Sequence, residues 1–147
     1  MPMSDSSSST ITIHVPMAQV TSALFALEKY PDWSTTIKSV EALTRDDQGN
    51  ITKVKMLIDA GMMKDRVILD YDWSGAPDRL SFSLDDADLL TGMDGAYSIK
   101  SIDEETTQIT YELTVSLSMP IPSMMRLKAE KTTIDQALSQ LKSALEG

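Results

Sequence analysis

The sequence contains no cysteine and one histidine. With no thiol there is no disulfide, thiolate zinc site, iron–sulfur cluster or cysteine nucleophile. One imidazole and no thiolate leave transition-metal ligation short of donors, so no metal and no cofactor is expected. No apolar run approaches the roughly 20 residues of a membrane-spanning helix, so integral membrane association is not expected. Positive charge is scarce too: 13 basic residues face 22 acidic ones, a net charge of −9. Such a chain repels phosphate polymers, and no nucleic-acid partner is expected. Met1 to Ser9 is serine-rich and lacks the basic-then-apolar order of a secretory signal, which makes the cytoplasm the default expectation. Neither a Gly-x-Ser-x-Gly elbow nor a phosphate-cradling glycine loop occurs.

What is present suits one domain. At 147 residues and 41% hydrophobic composition, folding should remove about two-thirds of the chain's surface from water. The four consecutive serines have nothing to bury, so residues 1–9 read as a disordered tail and 10–147 as a single domain. Thr10 to Val15 alternates as a half-buried strand. Pro16 suits a helix start, and Val20, Leu24 and Leu27 carry helical spacing from Met17 to Lys29. Tyr30-Pro31-Asp32-Trp33 interrupts that helix, because the residue before proline is pushed out of the α region. A short helical turn is expected around Asp32 to Thr36.

Strands follow. Val40 to Arg45 and Ile51 to Ala60 flank the loop Asp46-Asp47-Gln48-Gly49-Asn50, with Val54, Met56 and Ile58 on one face. Asp65 to Ser74 places Val67, Leu69, Tyr71 and Trp73 on one side. Leu80, Phe82 and Leu84 alternate next, the stretch 86–94 reads as a loop, and Gly95 opens a strand with Tyr97 and Ile99. Ile109, Tyr111, Leu113, Val115 and Leu117 form the longest alternation. From Ser123 to Glu146, Leu127, Ile134, Leu138, Leu141 and Leu145 define an amphipathic helix roughly 36 Å long.

The expected fold is α+β: a curved antiparallel sheet of about seven strands around a long C-terminal helix, with two short helices after the first strand. A twisted sheet of that breadth curls, and one helix about 10 Å wide leaves part of its concave face uncovered. The gap is a default small-molecule site. Its expected lining is Met56, Tyr71, Trp73, Phe82, Tyr97, Tyr111 and Leu113, capped by Met124 and Leu127.

Several segments carry a resemblance. Ile13-His14-Val15-Pro16 leads into the first helix, and Tyr30-Pro31-Asp32-Trp33 forms its break. Gly95-Ala96-Tyr97-Ser98-Ile99 follows, then Met119-Pro120-Ile121-Pro122 before a helix with Leu138-Ser139-Gln140-Leu141-Lys142. In this order and spacing, from about Thr10 to Glu146, the chain resembles the START-like (SRPBCC) helix-grip superfamily, and within it the bacterial polyketide cyclase/dehydrase group. The resemblance implies the helix-grip fold. It also implies binding of lipids, sterols, quinones, plant hormones or polyketides, with catalysis in only some members; fold alone does not assign function.

Candidate chemistry is sparse. His14 stands opposite Ile11, Ile13 and Val15 and reads as a surface residue, not a general base. Asp85, Asp86, Asp88 and Asp94 lack calcium-loop spacing. Lys131, on the flank of the helix stripe, reads as a solvent-reaching lysine, with a cavity charge as its other reading. The inward tyrosines Tyr71, Tyr97 and Tyr111 reach either a ligand or one another, since a buried phenol needs a partner. Trp33 and Trp73 flank the same space or simply pack. The function expected is a carrier or sensor for a small hydrophobic or amphipathic molecule such as a lipid, quinone or polyketide. Two alternatives stand beside it: a metal-free cyclase/dehydrase, and a module binding a protein or a second copy through Met62, Met63, Leu89 and Leu90.

Overall fold

The computed structural model describes residues 7–59, 64–118 and 121–146. Its chain order is β1 (Ser7–Ile13), α1 (Met17–Phe25), a 3-10 turn (Leu27–Lys29), α2 (Tyr30–Trp33), β2 (Ile37–Arg45), β3 (Ile51–Asp59), β4 (Lys64–Asp72), β5 (Arg79–Ala87), β6 (Leu90–Asp103), β7 (Thr106–Leu117) and α3 (Ser123–Glu146). The strands form one seven-stranded antiparallel sheet in the order β1-β7-β6-β5-β4-β3-β2. Short loops make sequence neighbours into spatial neighbours from β2 to β7. The exception is β1, which pairs with the last strand. The chain must therefore cross six inter-strand spacings between β1 and β2, about 29 Å on a flat sheet. The segment that crosses carries α1, the 3-10 turn and α2.

Period-2 alternation sends one face of every strand inward. Val54 and Met56, Val67 and Leu69, Leu80 and Phe82, Tyr97 and Ile99, and Ile109 and Leu113 are all buried in one core. Ile134, Leu138 and Leu141 of α3 join them, packed chiefly over β1 and β7. Each such side chain contributes roughly 1.5–3 kcal/mol of transfer free energy. A helix seated at one flank of a curled sheet leaves the inner faces of β3 to β6 without a long helix above them.

Several boundaries differ from expectation, among them the start of β2 at Ile37 and the end of β4 at Asp72. The first strand starts at Ser7, not Thr10: Ser7, Ser8 and Ser9 pair with Leu113, Glu112 and Tyr111. The Ser7 and Ser9 hydroxyls also donate to Glu130 and Asp135 of α3, at 2.8 and 2.6 Å. Backbone pairing and capture by α3 order residues that have no apolar surface to bury. The expected helix from Met17 to Lys29 stops at Phe25, and Tyr30 begins α2, so the expected turn comes earlier. The expected loop at 86–94 is largely the β5–β6 hairpin. There Asp65 lies buried, its carboxylate accepting the N–H groups of Arg66, Asp88, Leu89 and Leu90 at 2.8–3.1 Å. A carboxylate outside the hairpin closes its tip, which no local sequence pattern encodes. Ala60, Met62, Met63, Met119 and Pro120 lie outside the described residues.

Candidate functional site

Register builds the inner wall in rows. Tyr71 of β4 faces Phe82 of β5, which faces Gly95 of β6, which faces Leu113 of β7. A side chain at position 95 would run into the Phe82 ring, so glycine lets that ring lie across the neighbouring strand. One row along, Tyr97 and Tyr111 are stacked with ring centroids 4.2 Å apart. Tyr71 continues to Phe82 at 5.3 Å and to Trp73 at 6.5 Å, and Trp73 meets Phe25 of α1 edge-on at 5.3 Å. These pairings favour offset and edge contacts, as ring quadrupoles require.

The phenols are the interior's polar groups. Tyr30, Tyr71, Tyr97 and Tyr111 are all buried. Burial pushes every one of them up, Tyr111 to about 12 and the other three clearly above the ordinary phenol value. The four also feel one another electrostatically, which places them in one cluster. At neutral pH each is therefore a neutral donor. Tyr30 donates to Leu24 O at 2.5 Å, and the neighbouring Tyr97 hydroxyl restrains the rise of Tyr111. Tyr71 has no hydrogen-bond partner among the described residues.

The wall is not equally covered along its length. At one end α1 packs on β6 and β7, and Val20, Leu24, Leu27, Leu80, Ile99 and Ile109 are buried. At the other end the inward positions Ile58, Leu84, Ala87, Met93, Val115 and Leu117 are only partly buried. The first turns of α3 stand over that end. Glu130, its side chain fully buried, fixes them: it accepts from Ser7 Oγ at 2.8 Å, Val115 N at 2.6 Å and Arg126 at 3.0 Å.

Of the residues expected to line the interior, the structure brings together Met56, Tyr71, Phe82, Tyr97, Tyr111 and Leu113 as buried members of one core, with Trp73 half-buried beside them. Met124 and Leu127 do not join them. They are 78% and 38% exposed, because α3 begins beyond the sheet's covered area and turns Glu130 inward instead. Leu90, expected in an exposed patch with Leu89, is buried, its N–H held by Asp65. Lys131 is exposed and binds Ser8 O and the Ser9 hydroxyl of β1. His14 is exposed, and its backbone N–H donates to Glu146. Asp85 pairs with Lys53, and Asp86 and Asp88 pair with Arg66. Among the described residues no metal-binding cluster occurs.

Two surface clefts touch this wall from outside. One, of about 380 Å³, lies on the outer face of the sheet between Asp70, Asp72, Arg79, Asp94 and Glu112. The other, of about 490 Å³, lies beside the β2–β3 turn and is floored by Tyr71 and Trp73. Sequence reasoning missed Glu130, Asp65 and Tyr30. Glu130 had left a signal: it falls four residues before Ile134, on the helix's apolar stripe.

A seven-stranded antiparallel sheet gripping one long helix, with short helices after the first strand, defines a START-like helix-grip protein. The family described as polyketide cyclase/dehydrase and lipid transport matches residues 13–142, and the chain belongs to it. Solved structures share the fold at low identity. A START superfamily protein from Mycobacterium smegmatis superposes with a TM-score of 0.91 at 21% identity, covering 96% of this chain and 97% of that one. A conserved protein from Geobacillus kaustophilus gives 0.80 at 16%, covering 96% and 95%. Zhui aromatase/cyclase from Streptomyces sp. R1128 gives 0.75 at 15%, covering 96% and 93%. No curated protein matches in sequence.

Proposed function

We propose that the chain is a carrier or sensor that holds one small hydrophobic or amphipathic molecule between the sheet and α3. The observation that carries this reading is the set Ile58, Leu84, Ala87, Met93, Val115 and Leu117, inward apolar positions that pack on the core yet are only partly buried. A ligand entering there would cover that surface and meet the phenols further in. Removing roughly 400 Å² of apolar ligand surface from water is worth about 10 kcal/mol gross. Association costs of at least about 4 kcal/mol reduce this to a Kd of tens of micromolar.

The aromatase/cyclase likeness supports a second reading, a mould for ring closure with tyrosines as proton donors. Against it stands the chemistry of the cluster. Four phenols held protonated supply donors but no base, and the lone histidine is on the surface. Binding without turnover is the better fit. Titrating tryptophan fluorescence with a long-chain fatty acid, a naphthoquinone and a hydroxyanthraquinone tests it. A saturable change with one equivalent of at least one of the three is expected; a folded sample silent to all three overturns the reading.

A further inference from the structure

The chain has two tryptophans and treats their indole donors differently. Trp73 Nε1 donates to Ile51 O at 2.6 Å. Trp33 Nε1 is enclosed, yet nothing accepts from it; among the described residues it is the one fully enclosed side-chain nitrogen or oxygen left so, whereas Tyr71, which also lacks a partner, keeps 7% exposure. An enclosed donor without an acceptor costs about 1–3 kcal/mol, and native interiors carry few of them.

Its position is informative. α2 touches β2 on one side and α3 on the other, and Gln140 of α3 is hydrogen-bonded to Thr35 at 2.7 and 3.0 Å. Thr36 O accepts from Asp59 N at 2.8 Å, which sets this end of α2 beside the end of β3, next to half-buried Ile58. The Trp33 ring meets Tyr30 edge-to-face at 5.2 Å, and Tyr30 belongs to the phenol cluster. Polar side chains nearby are already engaged. The Tyr30 hydroxyl is bound to Leu24 O, and Ser34 Oγ accepts from Thr36 N and Ile37 N.

We propose that Trp33 Nε1 anchors the ligand by donating a hydrogen bond to an uncharged carbonyl oxygen on it. This rests on the interior-binding reading and adds a chemical class to it. A carbonyl accepts without needing a counter-charge. A carboxylate or phosphate head would need one, because an unpaired buried anion is costly. The buried charged side chains of the described residues are Asp65 and Glu130, both acidic. The ligand class is therefore a neutral ketone or quinone, not a free fatty acid or a phospholipid head.

Matched probes test it: 2-acetylnaphthalene, which has the carbonyl, and 2-ethylnaphthalene, which lacks it. Proton–nitrogen NMR of the full chain follows both indole N–H resonances. The ketone should bind about 5- to 10-fold tighter, moving the Trp33 resonance downfield while the Trp73 resonance stays. In Trp33→Phe the preference should fall to about 1, with hydrocarbon affinity kept within about twofold. Both probes binding equally, or a bound ketone that leaves the Trp33 resonance in place, overturns the anchor while the interior reading stands. Neither probe binding overturns the anchor, and the interior reading falls with it only if the fatty acid, the naphthoquinone and the hydroxyanthraquinone are silent too. The wild-type resonances decide the matter even where the variant does not fold.

Discussion

The two ends of the sheet are made of the same kinds of residue and end up in different states. Ile109 and Leu117 lie on one strand and face the same way, yet Ile109 is fully buried and Leu117 only partly. The difference lies in what passes overhead. The β1-to-β2 crossing must traverse the whole sheet, and it lays α1 and the 3-10 turn over one end. The same crossing meets the other end only at its β2–β3 corner, where Thr36 lies beside the end of β3, and Leu84, Ala87, Met93, Val115 and Leu117 stay partly buried. Topology, not composition, decides which end is sealed.

Three experiments probe that contrast. The largest effect should come from Glu130→Ala, which removes the acceptor for the Val115 N–H and the Ser7 hydroxyl inside the fold. Breaking one side of a buried ion pair costs about 3–5 kcal/mol, and urea unfolding should record a loss of that order. A loss under about 1 kcal/mol would mean the clasp does not hold α3 down. Next, Ile109→Ala should cost about 3 kcal/mol and Leu117→Ala about 1 kcal/mol, since a truncation at a half-covered site leaves less of a cavity. Equal costs by chemical denaturation would erase the distinction between the ends.

The smallest effect is one of pH. Unfolded tyrosine titrates near pH 10, whereas Tyr111 in the fold titrates at about 12. The unfolded state therefore loses its proton first as pH rises. The stabilisation is complete below about pH 10 and is lost between about 10 and 12, at about 1.4 kcal/mol per pH unit for each such phenol. Denaturation midpoints from pH 9 to 12 should fall more steeply in the native chain than in Tyr111→Phe. Parallel curves would place Tyr111 in contact with solvent.

Much of the fold was legible because strands with one buried face write their state as alternation. Val67, Leu69 and Tyr71 are an example, and so are Ile109, Tyr111 and Leu113. The β5–β6 hairpin was not, because its tip is held by Asp65 of β4, more than twenty residues earlier in the chain. Nor was the start of β1, where serines are ordered by what they pair with. The site was legible as a wall but not as an enclosure. Tyr71, Phe82, Tyr97 and Tyr111 announced themselves by alternation, while Tyr30 was hidden in a helix break and Glu130 in a stripe that reads as apolar. Met124 and Leu127 follow the helical spacing faithfully, but spacing does not say where the sheet stops.

The pairing of β1 with β7 has a consequence for how the molecule comes into being. The first strand emerges from the ribosome about a hundred residues before its only neighbour in the sheet. Until the last strand and the long helix arrive, the nascent chain must carry an incomplete sheet with greasy residues facing water, a state prone to aggregation. Contacts so distant in sequence also slow the search for the native topology. Helper proteins that shield newborn chains therefore have the most to do here just before synthesis ends.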